Sequence, residues 1–261
     1  MGNFMDLVRN ENMKIYSRMR TWIMLAILLV LMLLFSIILS NVDQEMLSMW
    51  DALFSASVLG FMIVTIFTVV VSADSVAGEF STGTIKLLMI RPWSRSKILL
   101  SKYVSLVQFA LFFMIVLFVW LYILDGIFFG FSAGSTSEAL TGAVSGSVWG
   151  YAFKFYGLEF LGLLFTVTIS FLLSTVFRSG GLAIGLSIFM MFASGVMSGI
   201  LSIVDQGWVD YLWFMQTDLL QYLNTNEHEH TLGFSLGVLG IYYIVFIVIT
   251  WVLFNKRDIA T

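Results

Sequence analysis

The residues best suited to metal chemistry in this chain are its two histidines, His228 and His230, which lie on either side of Glu229. Imidazole and carboxylate groups bind zinc, but a metal centre needs three or more ligands in a defined geometry. Residues two apart share a face only where the chain is extended. A solvated polar loop explains the same residues without a ligand, and we favour that interpretation. The chain is therefore expected to hold no metal.

A second chemical pattern is the pair Gly78 and Gly83, which has the G-x4-G spacing of a phosphate-binding loop. Such loops carry a lysine after the second glycine, whereas Thr84 stands at this position here, and no predicted strand precedes the pattern. The chain also has no cysteine, which excludes disulfides and thiolate metal sites. We expect that the chain is not an enzyme and binds no cofactor of its own.

Four polar residues lie in otherwise apolar stretches: Glu159, Gln108, Thr65 and Thr68. Ionisable groups at membrane depth usually face a helix bundle, water or a partner. All four are candidates for lining a substrate path. Two simpler explanations stay open: Glu159 pairs with Lys154 or reaches the outer surface, and the other three form hydrogen bonds between helices.

The composition identifies a membrane protein. Hydrophobic residues make up 59% of the 261 residues and charged residues 11%, with a mean hydropathy of +0.96. A soluble domain has too little polar surface to cover such a chain. Six apolar stretches reach the roughly 20 residues that a helix needs to cross a bilayer, and none alternates as a barrel strand does. They are residues 22–40, 52–73, 103–124, 155–177, 182–204 and 232–254.

The basic residues predict the orientation of these helices. With six crossings, twelve of the thirteen Lys and Arg residues fall on one side, and only Lys154 falls on the other. Because Lys and Arg are retained on the cytoplasmic side, both termini and the loop 74–102 are expected to be cytoplasmic. We expect a multi-pass protein of a plasma membrane, from a bacterium, with lipids and no nucleic acid among its partners.

Two segments outside the spans have helical patterns. Residues 1–21 place apolar and polar residues on opposite faces, which predicts an interfacial helix on the cytoplasmic surface; a basic tail that only sets topology is the alternative. The external segment 205–231 carries aromatic residues at a helical period. It predicts a short helix at the outer interface, with either a transport role or only an aromatic belt.

The segment 78–102 concentrates five basic residues and the one proline of the chain. Ile85 and Leu88 form one apolar side of a short helical turn, and Pro92 ends it. Ser94 is placed to cap a new helix that starts with Arg95. A helix, a break and a second helix suit a rigid contact with a cytosolic partner.

This segment resembles the permease subunits of type-2 ABC exporters. The pattern is E-x3-G-T-I-x2-L-x3-P-x-S-R-x2-I-x3-K, and its residues here are Glu79, Gly83, Thr84, Ile85, Leu88, Pro92, Ser94, Arg95, Ile98 and Lys102. The resemblance extends to the six spans and the amino-terminal helix. It implies that residues 84–90 form a coupling helix against an ATP-binding subunit, that Glu79 holds the end of the second span, and that Arg178 lies in a second contact.

The resemblance further implies the function. The chain would be the permease of an ATP-driven exporter, pairing with a separate ATP-binding subunit that binds ATP and Mg and with a second permease, either a copy or a paralogue. The substrate would be amphipathic, such as an antimicrobial peptide, a drug or a lipid, which suggests a role in antibiotic resistance. The alternatives are a stand-alone secondary transporter or channel, and a membrane sensor or assembly protein that moves nothing.

Overall fold

The computed structural model describes residues 3–41, 48–84, 93–131, 147–203, 207–223 and 230–256. Within these ranges the regular structure is helical, with no strand, so the predicted all-α class is confirmed. The α-helices are α1 (Phe4–Tyr16), α2 (Met19–Ser40), α3 (Met49–Ser81), α4 (Arg95–Phe129), α5 (Val148–Val176), α6 (Gly180–Leu201) and α7 (Leu232–Lys256).

Six of these helices, α2 to α7, are long and apolar enough to cross a membrane, which confirms the predicted number of spans. A helix satisfies its backbone hydrogen bonds internally, which the bilayer core requires. We call the side that carries α1 and the α3–α4 connection the inner side, and the opposite side the outer side. That the inner side is cytoplasmic stays a prediction.

Helix α3 lies at the centre of the bundle and packs against α4, α5 and α6. Aromatic side chains fill much of the core; the rings of Phe109 and Phe113, for example, have centroids 4.6 Å apart. At Gly60 a Cβ atom would lie 2.5 Å from the Leu117 side chain, so α3 and α4 need a glycine at their contact. Such close packing drives helix association in lipid.

Polar side chains join the helices inside the bundle. The hydroxyls of Ser57 and Tyr156 lie 2.5 Å apart and connect α3 with α5. The Tyr103 hydroxyl lies 2.8 Å from that of Thr168 and connects α4 with α5. By contrast, α6 buries little of its own surface, with only Gly180, Ala183 and Ser187 classed as buried. These bonds make α3, α4 and α5 the fixed centre of the fold.

The helices extend beyond several predicted spans: α3 continues past residue 73, whereas the start of α4 at Arg95 agrees with the helix predicted to follow Ser94. Residues 74–81 continue α3, and residues 95–102 begin α4. Charged residues mark where a helix leaves the bilayer core, but they do not end it. Ser94 precedes α4 as predicted, although its side chain makes no capping hydrogen bond.

The outer segment also differs from its prediction. Instead of one helix, its described residues 207–223 form three 3₁₀ turns, Val209–Tyr211, Trp213–Met215 and Leu220–Leu223. It packs onto the bundle: Leu219 is buried, and the Trp213 ring contacts that of Phe165. A hydrogen bond of 2.9 Å from the Gln216 Nε2 atom to the Asp210 carbonyl oxygen closes the segment on itself.

Candidate functional site: the inner ion-pair cluster

The most elaborate polar arrangement that the structure describes lies at the inner side, where α1, α3 and α4 meet. We call Glu11, Lys14, Glu79 and Lys102 the inner cluster. The Lys102 ammonium is 2% exposed and donates to Glu79 Oε1 (2.7 Å), to Glu11 Oε2 (2.9 Å) and to the Ser75 carbonyl oxygen (3.1 Å). These bonds use all three donors of a lysine side chain. A buried charge is tolerated because it is fully paired.

Lys14 closes the inner cluster from α1. Its Nζ atom lies 2.6 Å from Glu11 Oε1 and 2.9 Å from Glu79 Oε1. Two carboxylates and two ammonium groups therefore balance each other. Since Glu11 and Lys14 lie on α1, Glu79 on α3 and Lys102 on α4, three helices are fixed to one another at this point.

A second ion-pair group lies next to the inner cluster and reaches α6. Asp74 Oδ2 accepts from Arg18 Nη1 at 2.7 Å and lies 2.8 Å from Arg20 Nη1. Gly78 makes room for this carboxylate, because a Cβ atom there would lie 2.4 Å from Asp74 Oδ1. The first residue of α6, Gly180, approaches the same oxygen. Asp74 thus stands at the amino end of α6, where the helix dipole favours a negative charge.

Three residues of the sequence motif shape the exit from α3. Gly83 has a φ angle of +73°, a conformation that other residues rarely adopt, and its N–H donates to the Phe80 carbonyl oxygen at 3.2 Å. The Thr84 hydroxyl contacts that of Thr82 at 2.9 Å. Glu79, one turn earlier, points into the inner cluster. The spacing from Glu79 to Gly83 therefore combines an ion-pair partner with a glycine helix end.

The predicted coupling helix lies mostly outside the described residues. Ile85, Leu88 and Pro92 all belong to residues 85–92, between the ranges that the structure describes. His228 and Glu229 are likewise outside them. His230 is described: its Nε2 atom lies 3.2 Å from Asp210 Oδ2, and its ring stacks on Phe234. Among the described residues no group of side chains is arranged to hold a metal.

The two basic residues predicted to contact an ATPase have different surroundings. Arg95 Nη1 donates to the Asn255 carbonyl oxygen at 3.0 Å, which connects the start of α4 with the end of α7. A cation at a helix carboxyl end is electrostatically favourable. Arg178 is exposed in the short link between α5 and α6. Arg95 thus has a structural contact, whereas Arg178 is accessible to a partner.

The candidate pathway residues do not come together. Thr65 and Thr68 donate to carbonyl oxygens of their own helix, those of Phe61 and Val64, each at 2.7 Å. Gln108 Oε1 accepts from Asn12 Nδ2 at 2.6 Å and joins α4 to α1. Gln108 thus matches the simpler explanation of a hydrogen bond between helices, whereas Thr65 and Thr68 bond within their own helix.

Glu159 lies farther from the start of its helix than the predicted span 155–177 indicates, because α5 already begins at Val148. In the part of the chain that the structure describes it forms no ion pair with Lys154; it lies instead near Asp218 of the outer segment. Asp125, predicted to begin an external loop, is fully buried in α4, where it accepts from the Ser36 hydroxyl at 2.7 Å. Among the described residues, Asp125 is therefore a further carboxyl group inside an apolar helix, besides Glu159.

Sequence reasoning missed most members of the inner arrangement. The sequence patterns assign no role to Glu11 or Asp74, and they give Lys14, Arg18 and Arg20 no partner. One signal was present: carboxylates are scarce on the basic inner side. A carboxylate retained among many cations is expected to pair with one of them.

Acid should weaken the inner cluster. Burial disfavours the charged form of Glu11, but the attraction of Lys102 and Lys14 outweighs burial and sets the pKa below its ordinary value of 4.5. Burial likewise opposes the charge of Lys14, yet Glu79 and Glu11 raise its pKa above 10.5. Glu11 therefore stabilises the fold fully above its unfolded-state pKa and less as pH falls through the folded value. Lys14 stabilises the fold fully below its unfolded-state pKa. This contribution is lost as pH rises through the higher pKa that Lys14 has in the folded state.

We accordingly expect the melting temperature in detergent to be nearly constant from about pH 6 to 9 and to fall below about pH 4.5. Thermal unfolding followed by intrinsic fluorescence measures it. Glu11→Gln should lower the melting temperature at pH 7 and reduce the further loss between pH 6 and pH 4. An identical acid loss in the wild type and in Glu11→Gln would contradict the assigned role of Glu11.

The fold and the inner cluster define a multi-pass, all-helical membrane protein. The chain belongs to the family described as "Protein of unknown function (DUF2705)", whose model matches residues 38–260. Two relatives come from Bacillus subtilis (strain 168). "Uncharacterized protein YhcI" is 37% identical over 209 residues, covering 77% of this chain and 66% of YhcI. "Uncharacterized membrane protein YdbK" is 27% identical over 260 residues, covering 95% of this chain and 99% of YdbK.

The coverage differs between these two relatives. This chain spans slightly less than two thirds of the length of YhcI, but nearly all of YdbK. The name of YdbK calls it a membrane protein, in agreement with the six apolar helices found here. Neither name states a substrate or a partner.

The family assignment corrects the predicted resemblance to type-2 ABC exporter permeases, which was wrong. The matching family is DUF2705, and neither relative is named as an ABC permease or linked to export or antibiotic resistance. The structure supplies a physical reason for the misleading pattern. Glu79 forms ion pairs, Gly83 ends a helix, and Arg95 contacts the end of α7. Any two membrane helices that are joined at a basic surface require similar ion pairs, helix ends and contacts, so the same residue types do not identify one family.

Proposed function

We propose that this chain is the membrane-embedded subunit of a transport system in the plasma membrane of a bacterium. A separate ATP-hydrolysing subunit drives it from the cytoplasmic side, and the substrate is an amphipathic molecule moved outward. ATP and Mg bind to that partner, because the sequence of this chain contains no phosphate-binding lysine motif.

The inner cluster is the observation that carries this proposal. It joins α1, α3 and α4 through ion pairs, and its members Glu79 and Lys102 lie on the two helices that the residues 85–92 connect. A force applied to this connection acts on both α3 and α4. The helices resist sliding past one another because separating Lys102 from its carboxylates leaves buried charges unpaired. Movement is therefore passed to the helices as rigid bodies.

The rest of the bundle suits such a role. Helix α3, which leaves the inner cluster, forms the centre of the fold and contacts α5 and α6 along its length. The Ser174 hydroxyl of α5 accepts from the backbone N–H groups of Val76 and Ala77 in α3, each at 3.0 Å. A displacement of α3 thus reaches both neighbouring helices. We propose that a second membrane subunit, a copy or a relative of this chain, completes the pathway beside the sparsely covered α6.

Purification from native membranes in mild detergent tests the proposed partnership. An ATP-hydrolysing subunit is expected to co-purify with the tagged chain in a fixed ratio. Replacing Leu88 by aspartate should reduce that association at least tenfold, since a buried charge in an apolar contact costs more than the roughly 1.4 kcal/mol of a tenfold change. Mass spectrometry and the ATPase activity of the eluate provide the readout.

Ser81→Asp is the matched control for this experiment. Ser81 is exposed at the end of α3, so the same charge is added next to the segment without replacing an apolar residue. Membrane insertion of each variant is checked by its yield in the membrane fraction. An ATPase that stays bound to Leu88→Asp would show that the contact lies elsewhere. A chain that purifies without any ATPase would contradict the proposed function.

A further inference from the structure

A polar cleft of about 100 Å³ lies between α5, α6 and the outer segment. Its lining includes five hydroxyl groups, those of Thr166, Ser170, Ser187, Ser194 and Thr217, and no charged residue. The sulfur-bearing side chains of Met190 and Met191 and the ring of Trp213 complete the wall. A space of this size holds a small polar group together with the first carbons of a chain.

Four of the five hydroxyls already donate a hydrogen bond. Thr166, Ser170, Ser194 and Thr217 donate to backbone carbonyl oxygens of their own segments, at distances from 2.7 to 3.1 Å. Each hydroxyl oxygen keeps lone pairs that can accept a further hydrogen bond. The lining is thus rich in acceptors, and it suits a group that donates hydrogen bonds.

Ser187 is the exception and supplies independent support for a ligand. Its side chain is 2% exposed, and its Oγ atom has no hydrogen-bond partner among the described residues. A buried hydroxyl without a partner costs free energy, which a bound ligand would recover. Ser187 lies on α6 opposite the α5 residues Thr166 and Ser170, so its hydroxyl completes the polar lining from the second helix.

A carboxyl group, that of Glu159, lies at the outer end of the same face of α5. Glu159, Gly162, Thr166 and Ser170 follow one another at spacings of three and four residues, which places them along one side of the helix. The outer segment packs over this stripe: a Cβ atom at Gly162 would lie 3.6 Å from the Thr217 carbonyl oxygen. Asp218 lies near Glu159, and within the described ranges neither carboxylate has a basic partner.

We propose that the cleft binds the ammonium group of a cationic amphipathic molecule, such as an alkyl amine. The hydroxyl oxygens accept its N–H groups, Ser187 gains a partner, and Glu159 and Asp218 attract the positive charge. The Trp213 ring adds a surface on which a cation is stabilised. The apolar tail extends along the membrane-facing side of α6. That this molecule is also the transported substrate rests on the proposed function, whereas its binding does not.

Direct binding to the purified chain in phosphatidylcholine nanodiscs tests this inference without any ATPase. The probes are radiolabelled dodecylamine, its neutral analogue dodecanol, and dodecyltrimethylammonium, which is charged but has no N–H donor. Dodecylamine should bind saturably and at least tenfold more tightly than dodecanol, with the trimethyl compound between them. Equal, non-saturating uptake of all three would mean partition into lipid and would overturn the inference.

Variants locate the site. Ser187→Ala should weaken dodecylamine binding about fivefold, the effect of one hydrogen bond, and Glu159→Gln about tenfold. Ser198→Ala is the matched control, because Ser198 is a partly exposed serine of α6, away from the cleft lining, whose hydroxyl donates to its own helix. Melting temperatures verify that each variant is folded. Binding that responds equally to Ser187→Ala and Ser198→Ala would overturn the site, whereas binding without later ATP-driven transport would contradict only the proposed function.

Discussion

Replacing Lys102 by methionine is expected to lower the apparent free energy of unfolding by about 3–5 kcal/mol, the usual cost of removing one partner from a buried ion pair. Methionine has a similar length and keeps the packing. Glu11 and Glu79 then share a single cation, Lys14, and the Ser75 carbonyl oxygen loses its donor. Thermal and denaturant unfolding in detergent measure the loss.

Lys97→Met is the control for this replacement. Lys97 also lies on α4, but it is exposed, with its ammonium 5.5 Å from the centre of the Trp93 ring. Its removal should change stability by about 1 kcal/mol or less. The double variant Lys102→Met with Glu79→Leu should be less damaged than the sum of the single changes, since the two charges are removed together. Equal stability of Lys102→Met and Lys97→Met would refute the importance of the inner cluster.

Replacing Gly78 by valine is expected to cost about 1–3 kcal/mol, in the range of overpacked sites. The new Cβ atom would lie 2.4 Å from Asp74 Oδ1, so the carboxylate must move. Its contacts with Arg18 and Arg20 are then weakened, and α6 is pushed away at Gly180. The melting temperature should fall, and cysteine cross-linking between the inner ends of α3 and α6 should slow.

Gly181→Val separates crowding from the general effect of valine in a helix. Nothing lies within 4 Å of a Cβ atom at Gly181, although this residue adjoins Gly180 at the start of α6. Its replacement should alter stability by a few tenths of a kcal/mol, because valine and glycine differ little in helix propensity. If Gly78→Val lowered stability no more than Gly181→Val, the close contact between Asp74, α3 and α6 would contribute nothing measurable to the free energy of unfolding.

The number and type of the helices follow from the sequence because they depend on local properties. Each stretch such as 52–73 is apolar throughout, and a bilayer leaves helix as the solution for such a stretch. The positions of the helix ends are harder to predict from the sequence. Hydropathy locates the bilayer core, but α3 continues beyond it to Ser81. The start of α4 at Arg95, by contrast, agrees with the capping position predicted at Ser94. Helix ends depend on caps such as Gly83. Its positive φ angle is seen in the structure, but a glycine in the sequence does not by itself identify a helix end.

The contacts of the candidate site depend on tertiary structure. Glu79 was expected to hold neighbouring elements, but its partners, Lys14 and Lys102, lie 65 and 23 residues away along the chain. No periodicity predicts which cation a carboxylate meets. Asp125 shows the same limit: polar residues near a span end suggest a loop, yet its bond to Ser36 keeps it inside the bundle.

The inner cluster and the cleft between α5, α6 and the outer segment are connected through packed helices. Helix α3 leaves the inner cluster and packs along α5 and α6, the two helices that line the cleft. Asp74 also reaches the first residue of α6. A movement that starts at the connection between α3 and α4 therefore has a direct structural route to the cleft.

Flux through vesicles that contain the purified chain, with and without the proposed ATP-hydrolysing partner, tests the central claim most directly. The measured quantity is the ATP-dependent movement of a fluorescent alkyl amine across the bilayer. We predict no flux above that of empty vesicles for the chain alone, and flux when the partner and Mg-ATP are present on the side of the inner cluster. Sustained flux through the chain alone, driven by an ion gradient or a membrane potential, would contradict the account.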